Sequence, residues 1–292
     1  MTARQIADNG RILAVLKQQS DALLQTYHAN PRLSSTFATQ QRWLLGHAAL
    51  ALHFRAALGV EPPVTLSRVF DVVARYDLSS RNTADAFVKE MLHYGYAKQA
   101  ISPSDKRARP IVVADGALAG ILGWTVTHLT TLDRLDGGRR LETFMARDAV
   151  IAVLHPEIAD RLLTDPAIRQ PQKTFSLFTW LNNGGNIMDW LIMGLGELGA
   201  DGRTYPTSVT SIADLAGWLP LSRSHLARKL REAEAMGGLG WSGDRGSSHM
   251  WVSAGFVDEM IEAQAAKLAV IDDAFESCFA GYPSAVARLF TQ

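Results

Sequence analysis

Apolar side chains recur along the chain at the three- and four-residue spacing of amphipathic helices. In one such stretch, which follows Ser80 and ends at Gly95, the apolar positions are Ala84, Phe87, Val88, Met91 and Leu92. The same spacing predicts helices over residues 11–29, 35 or 36 to 58, 66–76, 116–135 and 211–219, and another starting at Ser222, with Leu226, Leu230 and Ala233 inward. The pattern therefore predicts a mainly α fold.

The helix that follows Ser80 leads into a pattern typical of a β-hairpin. Gly95 stands where a left-handed helix cap is expected, and residues 96–101 are predicted to form a strand. A turn-forming, cationic stretch follows, and residues 111–113 are predicted to form the returning strand. The predicted order is helix, glycine, strand, basic hairpin and strand.

This order occurs twice in the chain. An offset of 138 (149 minus 11) aligns residues 11–16 with 149–154, and an offset of 142 (222 minus 80) aligns the two polar helices and Gly95 with Gly237. The second hairpin is three residues shorter, so its returning strand aligns at an offset of 139 (250 minus 111). We predict a tandem duplication with domains at residues 1–140 and 141–292, divided at Gly137-Gly138.

Composition narrows the function only slightly. The 292 residues carry equal numbers of basic and acidic side chains, so a polyanion site must be a local patch. Cys278 is the single cysteine, which fits a reducing cytoplasm, and no stretch has the pattern of a secretory signal or a membrane span. Phosphate-binding, dinucleotide and hydrolase motifs are absent from the sequence, and the histidines are scattered. The sequence therefore predicts no catalysis, no cofactor and no metal site.

The helix starts LSSRNT and LSRSHL, the glycines about sixteen residues after them, and the hairpin tip Asp105-Lys106-Arg107 resemble the MarR family of bacterial transcription regulators. The resemblance implies two tandem winged helix-turn-helix domains, with short β wings and long flanking helices. Because MarR-like proteins normally carry one such domain and work as homodimers, two copies imply a pseudo-dimer within one chain, as a monomer or a homodimer. The implied location is the cytoplasm, at the nucleoid.

Such a domain reads double-stranded DNA with the start of its second helix and with its wing. Arg81 and Arg223 can each present a guanidinium fork to guanine, and Asn82 can pair with adenine. The predicted DNA-binding residues are Ser80, Arg81, Asn82, Thr83, Lys89, Lys106, Arg107, Arg109, Ser222, Arg223, Ser224, His225, Arg228, Lys229 and Arg245. The expected target is an imperfect inverted repeat, and the expected function is sequence-specific transcription regulation.

Two other functions remain open at this point. Plasmid-type replication initiators also use two winged helices in one chain and bind repeated DNA sites. Winged helices also serve as protein-interaction scaffolds. The resemblance further implies a small aromatic effector in the cleft between the long helices and the winged domains. Candidate lining residues are Phe54, His128, Trp43, Trp124, Trp180 and Trp190.

Overall fold

The computed structural model describes residues 1–37, 39–101, 109–147, 149–171, 173–179, 181, 183–219 and 222–279. Within these ranges the chain is mainly helical, with two small antiparallel sheets. The helices are α1 (Ala3–Ala7), α2 (Ile12–Ala29), α3 (Pro31–Thr36), α4 (Gln40–Ala57), α5 (Leu66–Arg75), α6 (Arg81–His93), α7 (Asp115–Asp136), α8 (Arg140–Met145), α9 (Val150–Thr164), α10 (Pro166–Arg169), α11 (Lys173–Thr179), α12 (Gly184–Met193), α13 (Ile212–Trp218), α14 (Arg223–Ala235) and α15 (Ala254–Phe279). The strands are β1 (Ala97–Gln99), β2 (Ile111–Val113), β3 (Thr204–Pro206), β4 (Leu239–Trp241) and β5 (Met250–Ser253).

Two segments share one order of elements: α5, α6, β1, β2 and α7 in the first, and α13, α14, β4, β5 and α15 in the second. Each segment begins at a hydroxyl cap, since Thr65 and Ser211 accept a hydrogen bond from the third residue of the helix that follows. Gly95 and Gly237 follow α6 and α14 with φ of +72° and +71°, as predicted. Left-handed backbone of this kind favours glycine.

The two hairpins have the same register. The paired residues are Ala97↔Val113, Lys98↔Val112 and Gln99↔Ile111 in the first, and Leu239↔Val252, Gly240↔Trp251 and Trp241↔Met250 in the second. First strands are offset by 142 (239 minus 97) and returning strands by 139 (252 minus 113), which are the offsets read from the sequence. The returning strands also donate equivalent backbone bonds, from Ile111 to Val64 O and from Met250 to Val209 O, at 2.8 and 2.9 Å.

The predicted inward faces of α6 and α14 are buried. On α6, Ala84, Phe87, Val88 and Met91 are buried, while Leu92 is only partly buried against the same core. On α14 the buried residues are Leu226, Leu230 and Ala233, as predicted. Removing each large side chain of this kind from water stabilises the fold by about 1.5–3 kcal/mol. The opposite faces of both helices remain available at the surface.

The two halves of the chain interlock. Helix α4 packs against α9, and α12 packs against α2, so a helix from each half lies on a helix of the other. Buried polar contacts cross the same interfaces: His47 Nδ1 lies 3.1 Å from His155 Nε2, and Ser20 Oγ donates to Asp189 at 2.8 Å. The hydrophobic core is continuous across both halves.

The glycine pair after α7 ends that helix, and the residues that follow it are held by buried ion pairs. Gly137 caps α7 in the left-handed conformation, with φ of +76°. The following Arg140 is buried, and its guanidinium donates to Asp136 of α7 at 2.7 Å and to Asp272 of α15 at 2.6 Å. At the predicted domain boundary, ion pairs of Arg140 therefore connect α7, the last long helix of the first half, with α15, the last described helix of the second.

Some predicted elements are shorter or more divided than the pattern indicated. The helix predicted to start at residue 35 or 36 is two helices, because α3 ends at Thr36 and Thr39 caps the start of α4. The strand predicted over residues 96–101 is limited to Ala97–Gln99. Throughout the part of the chain that the structure describes, every helix is too short or too polar to cross a membrane.

Candidate nucleic-acid interface

Helix α14 presents a cationic surface opposite its buried face. Arg223, His225, Arg228 and Arg231 are all exposed, while Leu226 on the other side is fully buried. Across the described ranges, no salt bridge engages Arg223, Arg228 or Arg231, although the positive charge of Arg228 helps lower the pKa of Glu232. Guanidinium groups held on a rigid helix with their donors free are suited to phosphates and guanine edges.

The start of α14 is open to a ligand. Ser222 occupies the cap position, but its side chain accepts no bond from the helix backbone. Its hydroxyl instead lies 3.0 Å from that of Ser224, and both residues are exposed. The first backbone N–H groups of a helix without a side-chain cap remain unsatisfied and favour an anion.

Two predicted cations of this region are paired within the protein. Lys229 Nζ lies 2.7 Å from Glu232 on the same helix, and this bond lowers the pKa of the Glu232 carboxyl. Arg245, in the turn between β4 and β5, donates through Nε to Glu234 of α14 at 2.7 Å. These contacts fix the hairpin turn against α14 and reduce the charge that Lys229 and Arg245 offer to a partner.

Helix α6 occupies the equivalent place in the first segment, and its polar residues are engaged by their own neighbours. Ser80 caps the helix by accepting a bond from Thr83 N–H at 3.1 Å, and its hydroxyl also lies 2.9 Å from that of Thr83. The Arg81 guanidinium lies over the Phe70 ring of α5, 4.4 Å from its centre, as in a cation–π contact. Its planar face is thus occupied, although Arg81 is still exposed.

The middle of α6 has no surplus of positive charge. Lys89 is largely exposed, and its Nζ lies 2.7 Å from Asp85 one turn earlier. Glu90 forms an ion pair with Arg42 of α4. Asn82 lies in the first turn of α6, and its side chain is exposed.

The basic hairpin of the first segment is described only in part. Lys106 and Arg107 lie outside the described residues, and Arg109 is exposed just before β2. The predicted residues on or directly before the two helices are Ser80, Arg81, Asn82, Thr83 and Lys89 for α6, and Ser222, Arg223, Ser224, His225, Arg228 and Lys229 for α14. Arg109 and Arg245 belong to the two hairpins, so each segment carries its own set of predicted residues.

A cavity of about 420 Å³ lies behind the first hairpin, away from these surfaces. Trp43 of α4 and Trp124 of α7 line it, as the sequence predicted. Trp180 lies outside the described residues, while Trp190 packs instead against Trp218, with ring centres 4.0 Å apart. Phe54 and His128 are not among the cavity residues, since their rings pack against His155 and Trp124.

Two cavity residues carry chemistry that the sequence reading missed, Lys267 of α15 and Asp189 of α12. A signal for Lys267 exists, because it follows Gln264 by three residues and precedes Ile271 by four, on the buried stripe of a long apolar helix. Asp189 stands in a similar apolar run. Among the described residues, no three His, Cys, Asp or Glu side chains are grouped so that they could hold a metal ion.

The chain matches no protein-family model, no curated protein and no solved structure. The geometry of α6, α14 and their hairpins is therefore the basis for assigning a function.

Proposed function

We propose that this protein is a sequence-specific DNA-binding transcription regulator that uses α6 and α14 as two recognition helices supplied by one chain. The observation that carries the proposal is the repeated unit of helix, short link, helix and hairpin, with one hydrogen-bond register and an exposed cationic surface on α14. In winged helix-turn-helix domains the second helix enters the major groove and the hairpin lies along the neighbouring backbone. Both units present these elements in that order.

The side chains of α14 suit the roles that such docking requires. Arg223, in the first turn, can donate two bonds to O6 and N7 of one guanine. Arg228 and Arg231, further along the helix, are suited to phosphates, which fix the position of the helix on the duplex. The open helix start and the Ser222 hydroxyl add donors for one more phosphate.

The first unit supports a weaker contact through its helix. Releasing Arg81 from the Phe70 ring, or Lys89 from Asp85, costs free energy before either can bind DNA. Its contribution comes chiefly from Asn82 at the helix start and from the basic hairpin that includes Arg109. The expected site is an imperfect inverted repeat with unlike half-sites, read by helices about one turn of DNA apart, roughly 34 Å.

Selection from a pool of random DNA duplexes, followed by footprinting of the winners, tests this proposal. One protected inverted site supports a regulator. Arrays of direct repeats would instead favour a replication initiator, and a lack of protection at moderate salt would leave only an interaction scaffold.

A double variant, Arg223→Ala with Arg228→Ala, tests whether α14 is the reader. Loss of the proposed Arg223 contact to guanine should weaken binding by about 1–3 kcal/mol. Loss of the proposed Arg228 contact to a phosphate should reduce the magnitude of the slope of log K against log salt by about 0.9. The matched control is Arg11→Ala with Arg134→Ala, which removes two exposed charges from α2 and α7. Equal affinity and slope for the two double variants would remove α14 from the interface.

A further inference from the structure

The cavity behind the first hairpin has one polar end. Lys267 lines it from α15, Asp189 from α12 and His47 from α4. Asp189 is 7% exposed and accepts a hydrogen bond from the Ser20 hydroxyl. His47 is 3% exposed and shares a hydrogen bond with His155. Lys267 is only half-buried, since it borders the cavity. Its side chain thus combines a place on the cavity wall with enough burial to lower the pKa of its amine.

The rest of the cavity is mostly apolar, with several aromatic rings and a few uncharged polar side chains such as Gln40 and Asn186. Phe37, Trp43, Phe87 and Trp124 line it, and the Trp43 and Trp124 rings lie 6.3 Å apart. A space of this size and lining is typical of sites for small organic ligands with one polar group. The occupant is therefore expected to have an apolar body and a single polar head at the Lys267 end.

The charges at the polar end nearly cancel. Burial lowers the pKa of His47 to about 3, and burial also lowers the pKa of the neighbouring His128, so both rings are neutral near pH 7. Lys267 and Asp189 carry opposite charges and stabilise each other. An anionic head would meet the Asp189 carboxylate, and a cationic head would meet Lys267. An uncharged polar head is therefore favoured over either ion.

We propose that this cavity binds apolar aldehydes or ketones, and that Lys267 holds their carbonyl carbon as a reversible imine. A desolvated lysine in an apolar pocket is the arrangement that makes an amine nucleophilic at neutral pH. Burial lowers the pKa of Lys267 to about 8, so a sizeable fraction of the amine is uncharged under ordinary conditions. This site is independent of the proposed DNA interface.

The chemistry balances with the groups present. The Lys267 amine attacks the carbonyl carbon, and a proton passes from nitrogen to oxygen to give a carbinolamine. Loss of that hydroxyl as water leaves a carbon–nitrogen double bond, and hydrolysis reverses the step. Asp189, whose pKa is raised to about 6 by burial, can donate the proton to the departing hydroxyl and recover one from nitrogen.

Reductive trapping tests the proposal on the full chain. The protein is incubated with trans-cinnamaldehyde and sodium cyanoborohydride at pH 7.5, and adducts are located by peptide mass mapping. Lys267 should be labelled at least roughly tenfold faster than exposed Lys89, because the cavity holds the aldehyde beside the Lys267 amine and burial lowers the pKa of that amine. Cinnamyl alcohol, which has the same shape and cannot form an imine, should slow the labelling of Lys267 and leave Lys89 unaffected.

Variants separate chemistry from folding. Lys267→Arg and Lys267→Met should lose the fast adduct, whereas Lys89→Arg should retain it. Asp189→Asn should slow adduct formation while Lys267 remains the labelled residue. Circular dichroism and a thermal melt establish that each variant is folded. Labelling spread over the lysines according to their exposure, or an unlabelled Lys267 in the folded wild-type protein, overturns the proposal.

Discussion

Helices α6 and α14 are both thirteen residues long, both end before a left-handed glycine, and both lead into hairpins of one register. They differ in what their polar side chains touch. On α6 the hydroxyl cap, Arg81 and Lys89 are all engaged within the protein. On α14 the cap is open, and Arg223 and Arg228 are exposed.

This difference shows that two units with the same backbone structure need not contribute equally to DNA binding. The two units share one order of elements and one hairpin register, and the neighbouring side chains decide which cations remain available. In the second unit Glu232 and Glu234 form salt bridges with Lys229 and Arg245, and among the described residues no salt bridge engages Arg223 or Arg228 in the first half of α14. If DNA binds as proposed, the two units contribute unequally, and in the second unit most of the contacts come from helix α14.

The largest expected effect is a loss of stability at low pH, and it arises in the core that the two halves share. His47 titrates near 6.5 in the unfolded chain but near 3 when folded, because burial disfavours its charge. The unfolded chain thus binds more protons between these values, and His47 alone costs about 1.4 kcal/mol of stability per pH unit as the pH falls below about 6.5. The pKa of His128 and of His155 is lowered in the same direction, also chiefly by burial.

Asp189 opposes this trend, because its folded pKa of about 6 lies above the ordinary 3.8 and favours the folded state as protons bind below that pH. Because the pKa of three buried histidines is lowered and only one carboxyl opposes them, the free energy of unfolding should fall between pH 7 and pH 5, in one cooperative transition. Urea denaturation across this range measures it. His47→Gln should flatten the dependence, and His225→Ala, on an exposed residue, should not. Two separate transitions would contradict the shared core.

An effect of intermediate size is expected when the acidic partners of the paired cations on α6 and in the second hairpin are neutralised. Glu234→Gln should free Arg245, and Asp85→Asn should free Lys89, so each should tighten DNA binding and raise the salt slope by about 0.9. Because α14 is the proposed reader, the gain from Glu234→Gln should be the larger, about 0.5–1 kcal/mol at low salt. Fluorescence anisotropy titrations measure both. Glu142→Gln, which frees exposed Arg139 just before α8, is the control and should change binding little.

The smallest effect concerns the two helix caps. Ser80→Ala removes a side-chain bond to the backbone of α6 and should cost about 1 kcal/mol of stability. Ser222→Ala removes no such bond and should cost less than about 0.5 kcal/mol. Urea denaturation of the two variants gives the comparison. Equal losses would mean that Ser222 caps α14 in solution, and the helix start would then be less open to phosphate.

Local features were predictable wherever the cause is local. The buried face of α6, the positive φ of Gly95 and Gly237, and the two hairpin offsets all follow from short-range spacing and backbone preference. The pairing of Lys89 with Asp85 is also local, at one helical turn. The break between α3 and α4 was missed, because the apolar spacing continues across it and only the Thr39 cap marks the new start.

Other features depend on residues far apart in the chain. Glu234 meets Arg245 only because the hairpin folds back on α14, and Arg140 joins α7 to α15 across 132 positions of sequence. The polar end of the cavity unites His47, Asp189 and Lys267 from three helices. Periodicity shows that Lys267 lies on a buried stripe, but it does not show which residues face it.

The sequence by itself determined the helices, the hairpins and their repetition, because these depend on side-chain period, caps and glycine. Only the tertiary structure decided that the halves interlock through α4 with α9 and α2 with α12, that Arg81 lies over Phe70, and that a lysine borders an aromatic cavity. The physical reason is the range of the interactions. Backbone preference acts over a few residues, whereas burial and charge pairing depend on which distant segments the fold brings together.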